Sequence, residues 1–507
     1  MPNELGNGHY HLAVSDAGGG RSSCGEVALN RWSGDAVQDD QGFFIYLRDL
    51  GSGELWSATL QPCGSQPEGY KVAAAAGSVQ FERLDHGILT RTRISVQAGA
   101  DLEVRSVTLR NLGSARRRIE LTSFVELALA PPQADLAHPA FSKLFVQTAL
   151  LRRSGALLAW RRPRSAEEHW PTVFHALAGA PVTSWETNRL LLIGRGGDAR
   201  HPRLELQGSF GNVLDPVFAL RTVIELRPGA ERRVDFILGC TPFRARVSRL
   251  LKPLKTSPFP ARRARPRAEP ASGLECGYAA SGDEYFIEMP WNGKALDLPP
   301  APWINVLANE RFGCIVSERG AGCTWSRNSQ LNRLTPWYND AMADPHEEAH
   351  YLRDDDSGEF WSPLPGPAPA AAPYQVRHGF GYTSFQCRWS GLTQSAVLFV
   401  ARNDPVKCLS LTIRNESGRP RRLSLFSHHR LALGTAPPPP GSLSVGRRGR
   451  ALCASRNDAH EFSDGVVFST VAGPPPRLEQ LCRDRAVFLG RNGSLRAPLA
   501  LRAAELV

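Results

Sequence analysis

Hydrophobic and polar residues alternate along much of the chain with the two-residue period of β-strands. In EVRSVTLRN the side chains of Val104, Val107 and Leu109 are apolar, and most of their neighbours are polar. HGILTRTRISVQ, from His86, and QSAVLFVARN, from Gln394, follow the same pattern, with Asn-Gly, Ser-Gly and Pro-Gly turn signals at short spacing. This pattern predicts antiparallel sheets that bury one face and leave the other in water.

The alternating segments occur twice. YLRDLGSGELWS, from Tyr46, returns as YLRDDDSGEFWS, from Tyr351, with nine of twelve positions identical. Further collinear pairs follow at nearly the same offset: VSDAGGG with VSERGAG, LNRW with LNRL, VTLRNLGSARRRIEL with LTIRNESGRPRRLSL, and RLLLIGRGGDARHPRLEL with RAVFLGRNGSLRAPLAL. We therefore predict two copies of one large domain. More than 200 residues in each copy indicate two extensive packed sheets rather than a simple sandwich.

The two copies differ at their C-terminal ends. In the first copy the GRGG block continues into a strand-rich segment, Phe210 to Gly239, whereas in the second it is followed only by RAAELV. About 30 residues, or three to four strands, have no counterpart. We expect the second domain to be truncated, to expose a sheet edge and to be the less stable one.

Composition supports an all-β fold and places the positive charge in one segment. The 507 residues include 46 glycines and 39 prolines, more helix breakers than a helical bundle tolerates. The net charge is +11, and nine Lys/Arg without an acid lie between Arg244 and Arg267. We predict a first module at 5–240, a basic, proline-rich linker at 241–279 that is mobile from Lys252 to Pro270, and a second, incomplete module at 280–507. A tether to nucleic acid or an acidic surface is the alternative, but few aromatic residues accompany the charge, so no nucleic acid is expected.

Targeting and cysteine signals favour a cytoplasmic protein. No apolar run reaches the roughly 18 to 20 residues that cross a bilayer, and the N-terminus lacks the pattern of a secretory signal. Ten cysteines are scattered without a C-x-x-C spacing, and the 13 histidines show no metal spacing. We expect reduced thiols, no metal site and no cofactor.

The sequence gives only weak evidence for catalytic groups. Asp39-Asp40, Glu347-Glu348 and Asp354-Asp355-Asp356 are carboxylate clusters, but adjacent residues on a strand point to opposite faces and cannot flank a sugar. Asp49 and Asp354 are expected to bind a turn backbone or the neighbouring arginine. Trp56 and Trp361 hold equivalent repeat positions and are expected in the core. No catalytic residue is predicted.

Several long strings resemble a known family. They are DDQGFFIYLRDLGSGELWSATLQP and DLAHPAFSKLFVQT in the first copy, and APWINVLANERFGCIVSERGAGCTW, NRLTPWYND, YLRDDDSGEFWSPLP and YQVRHGFGYTSF in the second. They are similar to the two modules that precede the catalytic barrel of cyclic β-1,2-glucan synthases, members of glycoside hydrolase family 94, formerly glycosyltransferase family 36. The resemblance implies tandem β-supersandwich domains of the galactose-mutarotase type. It also implies inverting phosphorolysis of β-glucosides, with the catalytic acid on a separate (α/α)6 barrel that this sequence does not show.

The resemblance also suggests where a sugar binds. Aromatic residues and polar groups cluster in the second copy, and sugars bind aromatic faces together with hydrogen-bonding groups. TPWYND and RHGFGYT lie outside the shared repeat, and such loops edge the active site in the family's phosphorylases. The predicted carbohydrate-binding residues, for which packing is the alternative role, are Arg333, Trp337, Asp340, Arg377, His378 and Tyr382.

Three functions remain open from the sequence. The preferred one is a carbohydrate-binding or scaffolding fragment of this lineage, or a decayed product, inactive alone and with a β-glucan or oligosaccharide as partner. The second is part of an active family 94 phosphorylase or glycosyltransferase whose barrel is supplied by another chain. The third and weakest is a polyanion-binding protein acting through the basic linker.

Overall fold

The computed structural model describes residues 2–260, 273–439, 441–458, 461–473 and 479–503. Contacts divide the chain into two units, Met1–Ala268 and Glu269–Val507. Most of the regular structure is strand, and every strand pair is antiparallel. The five α-helices of the described residues have five or six residues each, so no helix found there could cross a membrane.

The first unit is built from two large sheets. The nine-stranded sheet has the order β1-β2-β3-β4-β11-β16-β15, with β5 paired to β11 and β6 paired to β5. The eight-stranded sheet has the order β12-β13-β14-β17-β10-β9-β8-β7. The strands are β1 (Asn3–Gly6), β2 (Tyr10–Val14), β3 (Gly20–Cys24), β4 (Val27–Asn30), β5 (Phe43–Asp49), β6 (Leu55–Ser57), β7 (Gly69–Ala75), β8 (Ser78–Asp85), β9 (Ile88–Val96), β10 (Leu102–Asn111), β11 (Arg117–Ala130), β12 (Val146–Leu151), β13 (Ala156–Arg161), β14 (Thr172–Ala178), β15 (Ser184–Asn188), β16 (Pro216–Leu226) and β17 (Glu231–Thr241).

One core joins these two sheets. Leu47 and Leu121 of the nine-stranded sheet and Phe81, Val107 and Phe236 of the eight-stranded sheet are fully buried in the same apolar cluster. The period-two alternation predicted from the sequence therefore places one face of each sheet in a shared interior.

Four short helices connect or cover the strands of the first unit: α1 (Pro132–Ala137), α2 (Pro139–Lys143), α3 (Arg189–Ile193) and α4 (Val247–Leu251). Val247 and Leu251 of α4 are buried against Val104 and Ile237, on the outer face of the eight-stranded sheet. Phe259 packs on Trp185, with ring centroids 4.9 Å apart. The sequence assigns residues 241–260 to a solvated linker, but apolar contacts hold this stretch on the first unit. The predicted mobile stretch, Lys252 to Pro270, falls partly on residues 261–272, outside the described residues.

The second unit contains one large sheet and three small ones. The six-stranded sheet has the order β18-β19-β25-β26-β27-β28, and the small sheets are β20-β21-β22, β24-β23-β29 and β30-β31-β32. The elements are β18 (Glu275–Tyr278), β19 (Glu284–Met289), β20 (Ile304–Ala308), β21 (Phe312–Ser317), β22 (Gly322–Ser326), β23 (Glu348–Asp354), β24 (Phe360–Trp361), β25 (Tyr374–Gly379), β26 (Tyr382–Trp389), β27 (Leu392–Val400), β28 (Lys407–Asn415), β29 (Leu423–His429), β30 (Leu443–Arg448), β31 (Ala451–Arg456), β32 (Val467–Ser469) and α5 (Arg485–Leu489).

The predicted duplication is confirmed in the contacts of each unit. The hydroxyl of Tyr46 donates to the carbonyl of Ala199 at 2.6 Å, and the hydroxyl of Tyr351 donates to that of Leu495 at 2.7 Å. The side chains of Asn188 and Asp484 cap the equivalent helices α3 and α5. Trp56 and Trp361 are both buried in the core, as predicted.

The YLRD aspartates serve the fold in both units. Asp49 accepts from the backbone of Gly51 at 2.7 Å and pairs with Arg117. Asp354 accepts from the backbone of Asp356 at 2.9 Å and from Nε of Arg421 at 2.9 Å. The predicted turn contact is confirmed, but the arginine comes from the next strand of the sheet or the residues just before it, not from the adjacent position.

The β16–β17 hairpin is one of the differences between the two architectures. In the first unit β16 lies beside β11 in one sheet, and β17 lies between β10 and β14 in the other. The described residues of the second unit have no counterpart of either strand, so β28 and β29, the equivalents of β10 and β11, each have a partner on one side only. Phe468 of β32 is 51% exposed, whereas the equivalent Phe174 is fully buried.

Candidate functional site

Arg377 and Tyr382 form a polar network with Glu284 at one end of the six-stranded sheet. Nη1 of Arg377 donates to Glu284 at 2.9 Å, and the hydroxyl of Tyr382 donates to the other oxygen of the same carboxylate. These hydrogen bonds, first that from Tyr382 and then that from Arg377, lower the pKa of Glu284. The charged Glu284 carboxylate and the Arg377 guanidinium therefore lie on the same face of the sheet, and the Tyr382 ring lies beside them.

The network depends on a glycine. Gly379 lies opposite both Glu284 and Tyr382 in the strand register. A Cβ at Gly379 would lie 2.6 Å from Cε1 of the Tyr382 ring, too close for any side chain. The ring therefore crosses the glycine to reach the carboxylate of β19. In the first unit Ala73, Ala75 and Ser78 occupy the equivalent positions of β7 and β8, so this network belongs to the second unit.

His378 faces the opposite side of the sheet from Arg377, because successive residues of a strand alternate. Its Nε2 donates to the carbonyl of Trp303 at 3.1 Å, and its Nδ1 accepts from the hydroxyl of Thr383 at 3.0 Å. Burial lowers the pKa of His378 to about 4, so the ring is neutral at pH 7. Both ring nitrogens are used within the fold.

Arg333, Trp337 and Asp340 belong to the segment after β22. Arg333 is buried, and its side chain donates to the carbonyls of Ser329 at 3.2 Å and Thr435 at 3.3 Å. Oδ1 of Asp340 accepts from two backbone amides of its own turn, those of Met342 and Ala343. Trp337 is partly exposed. Carbohydrate contact by these residues stays a prediction, and Arg377 and Tyr382 are the predicted residues that the structure joins in one surface network.

Sequence reasoning missed aromatic residues of the same sheet, which lie in the row of His378 on the face opposite to this network, and one exposed ring in the turn beside it. Tyr278 of the edge strand β18 is 75% exposed and meets the ring of Tyr285 edge-on, at 5.1 Å. Tyr285 meets Trp303 in the same way at 5.6 Å, and Phe380, in the turn between β25 and β26, is 85% exposed. Tyr278, Tyr285 and Glu284 all lie in CGYAASGDEYFIEM, where exposed aromatics beside an acid were the available signal.

The first unit carries a second candidate, here called the arginine groove. It is an open cavity of about 460 Å³ on the outer face of β8, β9, β10 and β17. Its lining is Gln80, Arg91, Arg93, Ser95, Gln97, Val104, Ser106, Thr108 and Arg233. Cross-strand register places Gln80, Arg93 and Ser106 in one row and Arg91, Thr108 and Arg233 in the next.

The arginines of the groove differ in their partners. Arg91 donates to Glu82 at 2.8 Å, and Arg233 binds both oxygens of Asp235 and the hydroxyl of Ser106. Arg93 is exposed, and within the described part of the chain no side-chain partner is found for it. The groove therefore presents hydrogen-bonding side chains held in place by their partners, together with the exposed positive charge of Arg93.

The equivalent face of the second unit has a different chemistry. Repeat alignment places Ser384, Ser395, Val397 and Phe399 where the groove has Gln80, Arg91, Arg93 and Ser95. The groove is thus specific to the first unit.

The carboxylates considered as catalytic candidates are engaged elsewhere. Asp355 accepts from Arg353 at 2.8 Å, and Asp356 accepts from Arg422 at 2.8 Å. Glu348 is buried, accepts from the hydroxyl of Thr324 at 2.6 Å and pairs with Lys407. Burial raises the pKa of Asp40 to about 6. No pair of carboxyl groups facing a common cavity is found among the described residues.

Metal-ligating side chains converge at one place in the first unit. His9, Cys24 and Asp101 present ligand atoms that all lie within 4.8 Å of one another. All ten cysteines of the chain are free thiols.

Comparison with known proteins identifies the architecture. The family model for the glycosyl hydrolase 94 supersandwich domain matches residues 2–257 and 290–507. The cyclic β-(1,2)-glucan synthase NdvB of Rhizobium meliloti is 24% identical over 99% of this chain and 25% of its own length. The N,N'-diacetylchitobiose phosphorylase of Vibrio proteolyticus is 36% identical over 28% of this chain and 18% of its own. A putative aldose 1-epimerase from Escherichia coli K12 is 11% identical, with a TM-score of 0.27, over 48% of this chain and 99% of its own.

The chain spans about a quarter or less of the length of these two curated relatives. The family model covers most of both units, and the strand repeat, the buried tryptophans and the paired aspartates recur in each. The chain therefore belongs to the family of glycosyl hydrolase 94 supersandwich domains, which it carries in tandem.

Proposed function

We propose that this chain is a carbohydrate-binding component of the cyclic β-1,2-glucan synthase and glycan phosphorylase lineage, with no catalytic activity of its own. Its ligand is a β-glucan or oligosaccharide, and its place is the cytoplasm, where the ten free thiols stay reduced. The helices of the described residues are too short to build an (α/α)6 barrel. The chain thus supplies the sandwich surface and not the acid that cleaves a glycosidic bond.

The arginine groove is the observation that carries this proposal. Sugar hydroxyls are recognised by fixed donors and acceptors in a concave site, and the groove places glutamine, arginine, serine and threonine side chains in register across four strands. The salt bridges of Arg91 and Arg233 hold those guanidinium groups in place, so little side-chain entropy is lost when a sugar binds.

The surface around Glu284, Arg377 and Tyr382 is the second binding element of the proposal. An exposed aromatic face covers the apolar C–H side of a pyranose, and the adjacent carboxylate and guanidinium bind its hydroxyls. Phe380, in the turn that follows Gly379, provides an exposed ring at this end of the sheet.

Isothermal titration of the full chain with β-1,2-glucooligosaccharides tests the proposal. We expect saturable binding that is weakened about tenfold or more by Arg93→Ala, since removing a charged hydrogen-bonding group costs about 1.5 to 3 kcal/mol. Arg110→Ala, which removes an exposed arginine of β10 that does not line the groove, is the matched control. Absence of binding, or equal affinity in the Arg93 and Arg110 variants, would contradict a sugar site in the groove.

Arg377→Ala and Tyr382→Phe apply the same test to the second unit. If these variants weaken binding and Arg93→Ala does not, the ligand binds the second unit and the groove has another role.

The alternative is a component of an active phosphorylase whose barrel is supplied by another chain. It is favoured by the relatives named as phosphorylases, which match over part of this chain. The test is release of glucose 1-phosphate from sophorose, laminaribiose or cellobiose with phosphate. We expect none from this chain alone. Activity that appears only on co-expression with a family barrel would support the alternative, whereas activity of the single chain that a carboxylate substitution abolishes would contradict the proposed function.

A further inference from the structure

Three potential metal ligands meet at one end of the first unit, outside both candidate sugar surfaces. His9 precedes β2, Cys24 ends β3, and Asp101 lies in the turn before β10. The antiparallel register pairs Tyr10 with Cys24, which brings His9 beside the thiol. The side-chain amide of Asn7 donates to the carbonyl of Ala100 at 3.1 Å and to the carboxylate of Asp101 at 3.3 Å. These hydrogen bonds connect the turn that contains Asp101 to the loop that contains His9.

The distances suit a tetrahedral centre. Sγ of Cys24 lies 3.6 Å from Nδ1 of His9, and Oδ2 of Asp101 lies 2.8 Å from the same nitrogen. A thiolate at about 2.3 Å and an imidazole nitrogen at about 2.0 to 2.1 Å from a tetrahedral zinc ion are about 3.6 Å apart. The sulfur and nitrogen thus already have the spacing of two zinc ligands, and the carboxylate need withdraw by only a fraction of an ångström to be the third.

The electrostatics of the cluster favour a bound cation. Cys24 and Asp101 bring two groups that bind a metal as anions to one point, and the thiol of Cys240 lies beside that of Cys24. Cys240 is held in place because its backbone amide donates to the carbonyl of Asp101 at 2.9 Å. Both thiols are buried, whereas the His9 side chain is largely exposed, so an ion can enter from solvent.

We propose that Cys24, His9 and Asp101 form a binding site for Zn²⁺ or a divalent cation of similar softness. Thiolate, imidazole and carboxylate are the donor set that zinc accepts, and the exposed side of His9 leaves the fourth position to water. Binding displaces the proton shared by His9 and Asp101 and the thiol proton of Cys24, so the affinity falls as the pH is lowered.

The site is special to the first unit and is not a requirement of the fold. The repeat places Arg311 and Ser326 at the positions of His9 and Cys24, and neither residue is a zinc ligand. Bound metal would tie the β2–β3 hairpin of the nine-stranded sheet to the turn that enters β10 of the eight-stranded sheet.

Cobalt(II) titration of the full, reduced and chelator-treated chain tests the proposal, because a tetrahedral Co²⁺–thiolate centre has intense visible bands and a near-ultraviolet charge-transfer band. We expect one equivalent bound and displaced by Zn²⁺. Cys24→Ser should abolish the charge-transfer band, and His9→Gln, at an exposed position that leaves the fold intact, should weaken binding about tenfold or more.

Cys276→Ser, which removes the exposed thiol of the second unit, and His169→Gln, which removes another exposed imidazole, are the matched controls and should change nothing. Equilibrium dialysis with Zn²⁺ gives the stoichiometry independently of colour. The proposal is overturned by absence of a thiolate band in the wild-type chain, by a band that survives Cys24→Ser, or by unchanged affinity in His9→Gln.

Discussion

Leu121 and Leu425 occupy the same position of the repeated strand, yet Leu121 is fully buried and Leu425 is 49% exposed. The difference arises from their neighbours. β16 pairs with β11, the strand that carries Leu121. β29, which carries Leu425, has β23 on one side and no described strand on the other. The same side chain therefore contributes differently to the stability of two related units.

Paired truncations should measure this difference. Leu121→Ala should lower the free energy of unfolding of the first unit by about 2 to 5 kcal/mol, the range for leucines in closed cores. Leu425→Ala should cost about 1 kcal/mol or less, because half of the side chain already contacts water. Hydrogen-exchange mass spectrometry reports the two units separately. Equal costs would show that another segment covers Leu425.

Limited trypsin digestion should distinguish the two halves. The predicted linker, 241–279, contains Arg262, Arg263, Arg265 and Arg267, so we expect cleavage there first. The second unit should then be degraded faster, because β28 and β29 leave backbone groups and apolar side chains unpaired. Mass spectrometry of the timed digest identifies the surviving fragment. A C-terminal half that outlasts the N-terminal one would contradict this expectation.

Acid should destabilise the second unit through His428. Burial lowers the pKa of this histidine to about 3, whereas an unfolded histidine titrates near 6.5. The unfolded state therefore binds the extra proton between these values, and stability present above pH 6.5 is lost as the pH falls. His428→Phe should reduce the loss in Tm between pH 7 and pH 5. The first unit has Phe124 at this position, and the His428 ring already stacks on Phe488 at 5.0 Å.

In the first unit, Asp40 should make the stability change with pH in the opposite direction. Burial raises the pKa of this carboxyl from 3.8 to about 6, so the folded state holds its proton more tightly than the unfolded state. Stability from this group is present below pH 3.8 and is lost as the pH rises through 6. Asp40→Asn should therefore stabilise the first unit at pH 7.5 by up to about 3 kcal/mol and have little effect at pH 3.5.

The control for Asp40 is Asp49→Asn, which removes a carboxylate paired with Arg117 and should destabilise the same unit at neutral pH. Denaturant unfolding at both pH values gives the comparison. If Asp40→Asn destabilises at pH 7.5, the carboxylate is paired in solution and the assigned pKa is wrong.

Local alternation and repetition were sufficient to predict two related all-β units, and the family resemblance implied their supersandwich architecture. The repeated YLRD string and the tryptophan that follows each copy predicted equivalent strands. In the structure, Tyr46 and Tyr351 make equivalent hydrogen bonds in their units. Among the described residues of the second unit no strand corresponds to β16 or β17, in agreement with the gap in the second copy of the repeat. These features depend on short-range patterns that a single sequence carries.

The candidate sites depend on pairings between distant strands, and these were not predictable. Glu284 meets Arg377 across 93 residues because β19 and β25 are neighbours in the sheet. The arginine groove needs the order β8-β9-β10-β17, which joins Arg93 to Arg233. His9 and Cys24 do not have a metal-ligand spacing in sequence, and only the hairpin register brings them together.

The packing of residues 241–260 also sets the size of the smallest autonomous piece of this protein. A fragment ending at Thr241 would keep every strand of the first unit but lose Val247, Leu251 and Phe259, leaving Val104 and Trp185 uncovered. A fragment extended to Pro260 keeps that surface dry. Gene fragments for expression of the first unit should therefore stop at Pro260, beyond the last strand, β17, and the helix α4.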